Sequence, residues 1–137
     1  MSGVARVYAA VAAGGALGAL LRGAISLPLL DLPWAAMAAG TLLANTVGAF
    51  AIGAYAALAG PGSARPHGAV ARHFWMTGLL GGFTTFSIFS LELLVLLTAG
   101  LPLAAVVHLA VSVPAWLLAV WGGYATGRRR ARRQPPG

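Results

Sequence analysis

The chain has 137 residues, of which 59% are apolar and only 8% are charged. Because soluble domains carry about 25% charged residues, this composition excludes a soluble globular protein and indicates a membrane protein. The formal charge of +7 could suggest a nucleic-acid partner, but the arginines lie at the chain ends and in one loop, so we expect none.

Four apolar stretches, each near the roughly 20 residues that cross a bilayer as a helix, predict an all-α membrane protein with four transmembrane helices. The spans cover about residues 4–25, 34–59, 74–99 and 102–127, and together they form one domain, residues 1–127. In the first span, Gly14 and Gly18 form a G-x-x-x-G pattern, which is typical of close helix packing. The arginine-rich residues 128–137 are predicted to form a basic, disordered tail.

The second span carries Asn45 near its middle. An amide without a partner is costly in hydrocarbon, so its side chain must be hydrogen-bonded or must face a polar space. A hydrogen bond to a neighbouring helix and a position beside a pore are both compatible with the sequence.

The third span contains the segment GGFTTFSIFS at residues 81–90, which is a poor membrane helix. Gly81 and Gly82 loosen the backbone. Four hydroxyl groups also enter the hydrocarbon, those of Thr84, Thr85, Ser87 and Ser90. Because lipid tolerates polar or irregular backbone only where protein or a water-filled cavity covers it, we predict a helix broken near its middle and a candidate ion site there.

Polar side chains also lie beside this segment in the third and fourth spans. Glu92 follows the segment by two residues, and we expect this carboxylate to be a structural acceptor for a hydroxyl on the third or fourth span. In the fourth span, His108, Ser112 and Trp116 have i, i+4, i+8 spacing, which places all three on one helix face.

The arginines are distributed unequally between the two sides of the membrane. Four spans place both termini and the loop between the second and third spans on one side. That side collects most of the basic residues, namely Arg6, Arg65, Arg72, Arg128, Arg129, Arg130, Arg132 and Arg133. The positive-inside rule therefore predicts a multi-pass protein of the cell membrane with cytoplasmic termini.

Three features together resemble the bacterial fluoride channel family, the small four-span Fluc/CrcB proteins. They are GTLLANTVGAF at residues 40–50, GGFTTFSIFSLE at residues 81–92, and Arg22 at the end of the first span. The resemblance implies a passive, fluoride-selective channel that exports fluoride from the cytoplasm and lowers its toxicity. It also implies an antiparallel, dual-topology dimer with two pores along the subunit interface.

The same resemblance implies roles for individual residues. Phe86, Phe89 and Asn45 would face the pore, and the backbone carbonyls of Gly81 and Thr84 from both subunits would hold a central Na⁺. The other pore candidates are Thr85, Ser87, Ser90, Glu92, His108 and Ser112. The chain departs from the family pattern at Ile88, His108 and Trp116, where a threonine, a tyrosine and a small polar residue are expected.

The chemistry of these residues agrees with an anion channel. Fluoride is strongly hydrated, and a bare charge in a low-dielectric medium is very costly, so the pore must replace water with hydrogen-bond donors. Conduction needs binding that is favourable enough for entry and weak enough for release. Hydroxyl and amide donors meet that condition, and the positive edges of Phe86 and Phe89 can face an anion.

The arginine distribution leaves the type of dimer open. An inverted homodimer needs a chain that inserts both ways, whereas this imbalance favours one orientation and a heterodimer with an oppositely oriented paralogue. The alternative function is a proton-coupled exporter resembling the small multidrug transporters, but the first span has no acidic residue for such coupling. An assembly protein would leave the hydroxyls and the amide without a purpose, and no G-x-S-x-G or G-x-x-x-x-G-K-[ST] motif suggests an enzyme.

Overall fold

The computed structural model describes residues 2–29, 34–61, 63 and 65–133, and in this part of the chain all regular structure is helical. Helix α1 (Gly3–Ser26) ends in a 3₁₀ turn (Leu27–Leu29), and α2 (Trp34–Ala59) follows. The third span consists of α3 (Ala69–Arg72), a π-helical segment (His73–Leu80), α4 (Gly81–Phe83) and α5 (Ser87–Thr98). The last helix is α6 (Pro102–Arg133).

The helices confirm the four predicted membrane spans. Those long and apolar enough to cross a bilayer are Gly3–Ser26, Ala38–Ala59, Ala69–Thr98 and Pro102–Arg133. Many apolar side chains on their outer faces are exposed, among them Leu20, Leu103 and Leu118. An apolar outer surface of this extent is stable against lipid rather than against water.

The third span is interrupted near its middle, as the sequence predicts. Helix α4 ends at Phe83, Thr84 is extended with φ −87° and ψ 155°, and helical geometry resumes with α5 at Ser87. The break follows the two glycines, because Gly81 and Gly82 themselves are helical.

Small residues bring α1 against the third span. A Cβ on Gly14 would lie 2.8 Å from the Leu79 nitrogen, and one on Gly78 would lie 2.9 Å from the Gly14 Cα. The G-x-x-x-G pattern of α1 is therefore a packing surface. It allows the backbone of α1 to contact the backbone of the third span directly. Helix α6 packs along α2 on the other side of the bundle.

Helix α6 extends beyond the predicted end of the fourth span at residue 127. It continues to Arg133, so residues 128–133, expected in a disordered tail, are helical, whereas residues 134–137 lie outside the described residues. Arginine and alanine are strong helix formers, and a preformed span supplies the nucleus that a short isolated helix lacks.

Candidate functional site

Asn45 on α2 connects directly to the break in the third span. Its Nδ2 donates to the Thr85 carbonyl oxygen at 2.8 Å, and the Thr85 N–H donates to Asn45 Oδ1, also at 2.8 Å. The reciprocal pair satisfies both backbone polar groups of Thr85 with a buried side chain. The interhelical hydrogen bond considered for Asn45 is thus present. The Nδ2 group has two hydrogens, and these two hydrogen bonds use only one of them.

Two carbonyls at the break lose their helical donors to side chains. In a continuous helix the Thr85 N–H would donate to Gly81 and the Ile88 N–H to Thr84. Instead, the Thr85 N–H donates to Asn45, and the Ile88 N–H donates to Thr85 Oγ1 at 3.2 Å, as in an N-cap. The carbonyls freed in this way belong to Gly81 and Thr84, the pair that the resemblance implies for Na⁺.

A buried polar cluster links α2, α5 and α6. Thr41 Oγ1 donates to Glu92 Oε1 at 2.6 Å, and His108 Nε2 lies 3.1 Å from Glu92 Oε2. Ser112 Oγ lies 3.4 Å from His108 Nδ1. In the tautomer that carries its hydrogen on Nε2, His108 donates to Glu92 and its Nδ1 accepts from the Ser112 hydroxyl.

Glu92 is a structural acceptor, because both of its oxygens have a partner and its side chain is only 10% exposed. The expected source of the hydroxyl is wrong, however. Thr41 lies on the second span rather than on the third or fourth. Thr41 precedes Asn45 by one helical turn, so the i, i+4 spacing in GTLLANT was the signal that could have identified it.

The two phenylalanines of the motif differ in environment. Phe89 is 1% exposed, and its ring centroid lies 5.1 Å from that of His108 and 4.8 Å from that of Trp116. Phe86 is 70% exposed, with its centroid 5.7 Å from that of Phe89. Phe89 therefore packs against the polar cluster, while Phe86 presents its ring at the surface of the monomer.

A cavity of about 300 Å³ opens beside the break. Its lining includes Asn45, Thr85, Phe86 and Trp116, and contains no charged side chain. The Trp116 Nε1 atom is buried and has no hydrogen-bond partner among the described residues. An unpartnered buried donor is costly, so this indole N–H is a hydrogen-bonding group that the described part of the chain leaves unsatisfied beside a residue that lines the cavity.

The sequence placed Trp116 on the same helix face as His108 and Ser112 and marked it as a departure from the family pattern, but it assigned the residue no role. Its position at i+4 from Ser112 and i+8 from His108 was the available signal, since the polar face of α6 continues to this residue.

The structure does not bring all predicted hydroxyls to one site. Thr84 Oγ1 donates to the Leu80 carbonyl at 3.0 Å and Ser90 Oγ donates to the Phe86 carbonyl at 2.9 Å. Ser87 and Ser90 are exposed on α5, and Ser87 Oγ lies 3.1 Å from Thr85 Oγ1. In the single chain, Asn45 and Thr85 line the cavity, whereas His108 packs on Phe89 and contacts Glu92 and Ser112, and none of these three polar residues lines the cavity.

Comparison with known proteins identifies the family of the chain. Residues 9–124 match the family model described as "CrcB-like protein, Camphor Resistance (CrcB)". The chain is 46% identical over 133 residues to "Fluoride-specific ion channel FluC 1" of Rhodopseudomonas palustris (strain BisB18), covering 93% of this chain and 91% of the relative. It is 42% identical to a protein of the same name from Bradyrhizobium diazoefficiens, over 93% of this chain and 89% of the relative. A third relative, "Fluoride-specific ion channel FluC" of Opitutus terrae, is 44% identical over 86% of this chain and 89% of its own length.

Proposed function

The chain belongs to the CrcB-like family of fluoride-specific ion channels, and from this premise we propose that it is a passive, fluoride-selective channel of the cell membrane. It lets fluoride leave the cytoplasm and so lowers fluoride toxicity. Its relatives are named as channels, which are not enzymes, in agreement with the prediction from the sequence. Four membrane spans make it a multi-pass protein.

The observation that carries this proposal is the cavity beside the broken span. Its lining includes Asn45, Phe86 and Trp116, whose buried indole N–H has no partner among the described residues, and it has no basic side chain. Neutral donors replace part of the water around a small anion, and the absence of an arginine or lysine keeps binding weak enough for release. An anion of low charge density would gain less from such donors than fluoride does.

Phe86 and Phe89 extend the path from this cavity toward the polar cluster. Their ring edges carry positive quadrupole density, which attracts an anion that has lost water. Phe89 lies between Trp116 and His108, so an anion passing its edge would move from the indole donor toward the Ser112 and His108 side. Thr85 and Ser87 share one hydrogen bond, so one of their two hydroxyl hydrogens is a further donor at the start of α5 in this proposal, and Ser90 would have to release the Phe86 carbonyl before it could donate.

The Glu92 cluster maintains this path without exposing a negative charge to it. Donors from Thr41 and His108 occupy both carboxylate oxygens and limit repulsion of an anion. His108 also packs on Phe89, so the cluster holds the ring in place. Glu92 and His108 thus act here as positioning residues, through Phe89.

The carbonyls of Gly81 and Thr84 fit a sodium site of the kind that the resemblance implies. Hard cations prefer oxygen ligands, and these two carbonyls have lost their helical donors to Asn45 and Thr85. One chain offers two such oxygens, and a second, inverted chain would offer two more. A bound Na⁺ would supply positive potential beside the anion path.

We propose an antiparallel dimer, because the break that would bind the ion and the ring of Phe86 lie at the surface of a single chain. A second chain would cover both. The excess of arginine on the side of the termini favours cytoplasmic termini, and it favours a heterodimer with an oppositely oriented paralogue over a homodimer.

Fluoride and chloride efflux from proteoliposomes, measured with and without sodium, tests the proposal. The expected result is rapid fluoride efflux, no comparable chloride efflux, and lower fluoride efflux when sodium is withheld during purification and assay. Equal passage of the two halides would contradict the selectivity proposed for the cavity. Activity of the chain expressed alone, in one uniform orientation, would contradict the requirement for an inverted partner.

A further inference from the structure

A second cavity, of about 510 Å³, lies between the ends of α2 and α6, and the fluoride path does not use it. Phe50, Ala54 and Leu58 form its apolar wall on α2. Its other wall comes from α6, with the residues Thr126, Gly127, Arg129, Arg130 and Arg133. We call this feature the arginine groove.

The arginines of α6 divide into two faces. Residues on a helix advance by about 100° each, so Arg129, Arg130 and Arg133 lie within about a third of a turn, on the side of Thr126 and α2. Arg128 and Arg132 point to the other side, and the Arg128 guanidinium lies 5.9 Å from the centroid of the Tyr124 ring. Only the first set lines the groove.

The groove lies where a membrane surface is expected. A Cβ on Gly127 would lie 2.8 Å from both the Ala54 oxygen and the Ala57 Cβ, so Gly127 is level with the last turns of α2, which ends at Ala59. Arg133 then lies about 9 Å farther along the axis. This distance is comparable to the depth of a headgroup layer, while Phe50 on the opposite end of the groove remains in the apolar span.

We propose that the arginine groove binds the headgroup of an anionic phospholipid, with an acyl chain along Phe50, Ala54 and Leu58. Charge complementarity identifies the occupant, because three arginines line a groove whose lining includes no acidic residue. Guanidinium forks match phosphate oxygens in bidentate geometry. The apolar wall distinguishes a lipid from a soluble phosphate, which would leave Phe50 and Leu58 exposed.

A different result is expected if the arginines of α6 act only as a general signal of membrane topology and bind no specific lipid. In that case only the number of positive charges near the membrane matters, and the two faces of α6 are equivalent. The two pairs Arg129/Arg133 and Arg128/Arg132 have the same spacing and carry the same charge. They therefore form a comparison matched in charge and spacing, in which one pair lines the groove and the other includes the Arg128 contact with Tyr124.

The test is native mass spectrometry of the purified full-length protein with dioleoylphosphatidylglycerol and dioleoylphosphatidylcholine as probes. We expect the unmodified protein to retain the anionic lipid preferentially. R129Q/R133Q should weaken this binding by about tenfold, since each basic residue near an anionic surface contributes appreciably, while R128Q/R132Q should leave it close to the original value. If the double variant in the groove fails to fold, R129Q and R132Q provide the same comparison.

Three results would overturn the proposal. Equal losses in the two double variants would indicate diffuse electrostatic attraction rather than a site. Equal retention of the two lipids would show that the protein does not recognise the anionic headgroup. Displacement of the anionic lipid by inorganic phosphate would identify a soluble anion as the occupant.

Discussion

Asn45 and Thr85 exchange two hydrogen bonds of 2.8 Å across 40 residues of sequence, and this pair satisfies the backbone where the third span breaks. The Asn45 amide replaces the helical partner that the Thr85 N–H would otherwise have at Gly81. A single side chain on α2 therefore stabilises the irregular backbone and frees a carbonyl beside it. Both residues line the candidate cavity, and the freed Gly81 carbonyl belongs to the proposed cation site.

Asn45→Ala should destabilise the protein by about 2–4 kcal/mol, because both backbone groups of Thr85 would lose their partners in a water-poor interior. Thermal unfolding in detergent, followed by the fraction that remains monodisperse, measures this effect. Thr46→Val is the control, since the Thr46 hydroxyl donates only to the Leu42 carbonyl of its own helix. A similar loss in both variants would contradict the special role of Asn45.

Trp116→Phe should lower fluoride efflux by about tenfold while the protein stays folded, because the substitution removes the unpartnered indole N–H and retains the aromatic packing on Phe89. Proteoliposome efflux measures the rate. Trp121→Phe is the matched control, since this indole is 71% exposed on the outer face of the same helix. Unchanged efflux in Trp116→Phe would remove the indole from the proposed path.

Phe89→Ile and Phe86→Ile should abolish fluoride efflux, because an aliphatic side chain has no positive ring edge to present to the anion. Phe89→Ile should also cost about 1–3 kcal/mol of stability, since Phe89 is 1% exposed, whereas Phe86 is 70% exposed and should cost less. Efflux and thermal unfolding of the same preparations separate the two effects. Full efflux in the stable Phe86→Ile protein would rule out its ring as part of the path.

Thr41 and Glu92 should be energetically coupled, because the Thr41 hydroxyl donates to Glu92 Oε1 at 2.6 Å. In a double-mutant cycle with Thr41→Val and Glu92→Ala, each of which removes one partner, we expect a coupling of about 1–3 kcal/mol, the cost of leaving a buried polar group without its hydrogen bond. Thermal unfolding of the two single variants and the double variant supplies the cycle. Additive effects would show that the contact contributes nothing to stability.

Gly14→Ala should destabilise the protein by about 1–3 kcal/mol, because the new Cβ would lie 2.8 Å from the Leu79 nitrogen of the adjacent span. Gly15→Ala is the neighbouring control. A Cβ there meets nothing within 4 Å, so this substitution should be neutral or stabilise by up to about 1 kcal/mol. Thermal unfolding compares the two, and equal effects would contradict the close approach of α1 to the third span.

The four spans and the interruption of the third were predictable from the sequence because their causes are local. Bilayer thickness sets the length of an apolar helix, and two glycines followed by hydroxyl residues weaken a helix in hydrocarbon. The family was likewise identifiable from short motifs, which the comparisons confirm. The end of α6 was less predictable, since a helix that begins in a span continues through residues that would be disordered in isolation.

The partners of the polar side chains were decided only by tertiary structure. A buried amide or carboxylate needs a hydrogen-bond partner, but the sequence does not identify that partner. Here Asn45 donates to the backbone carbonyl of Thr85, and Glu92 accepts from Thr41 on another span. Whether the Trp116 N–H has a partner likewise depends on how α2, the third span and α6 pack around it. Local sequence determined that polar groups enter the membrane, and helix packing decided which of them remain available to an anion.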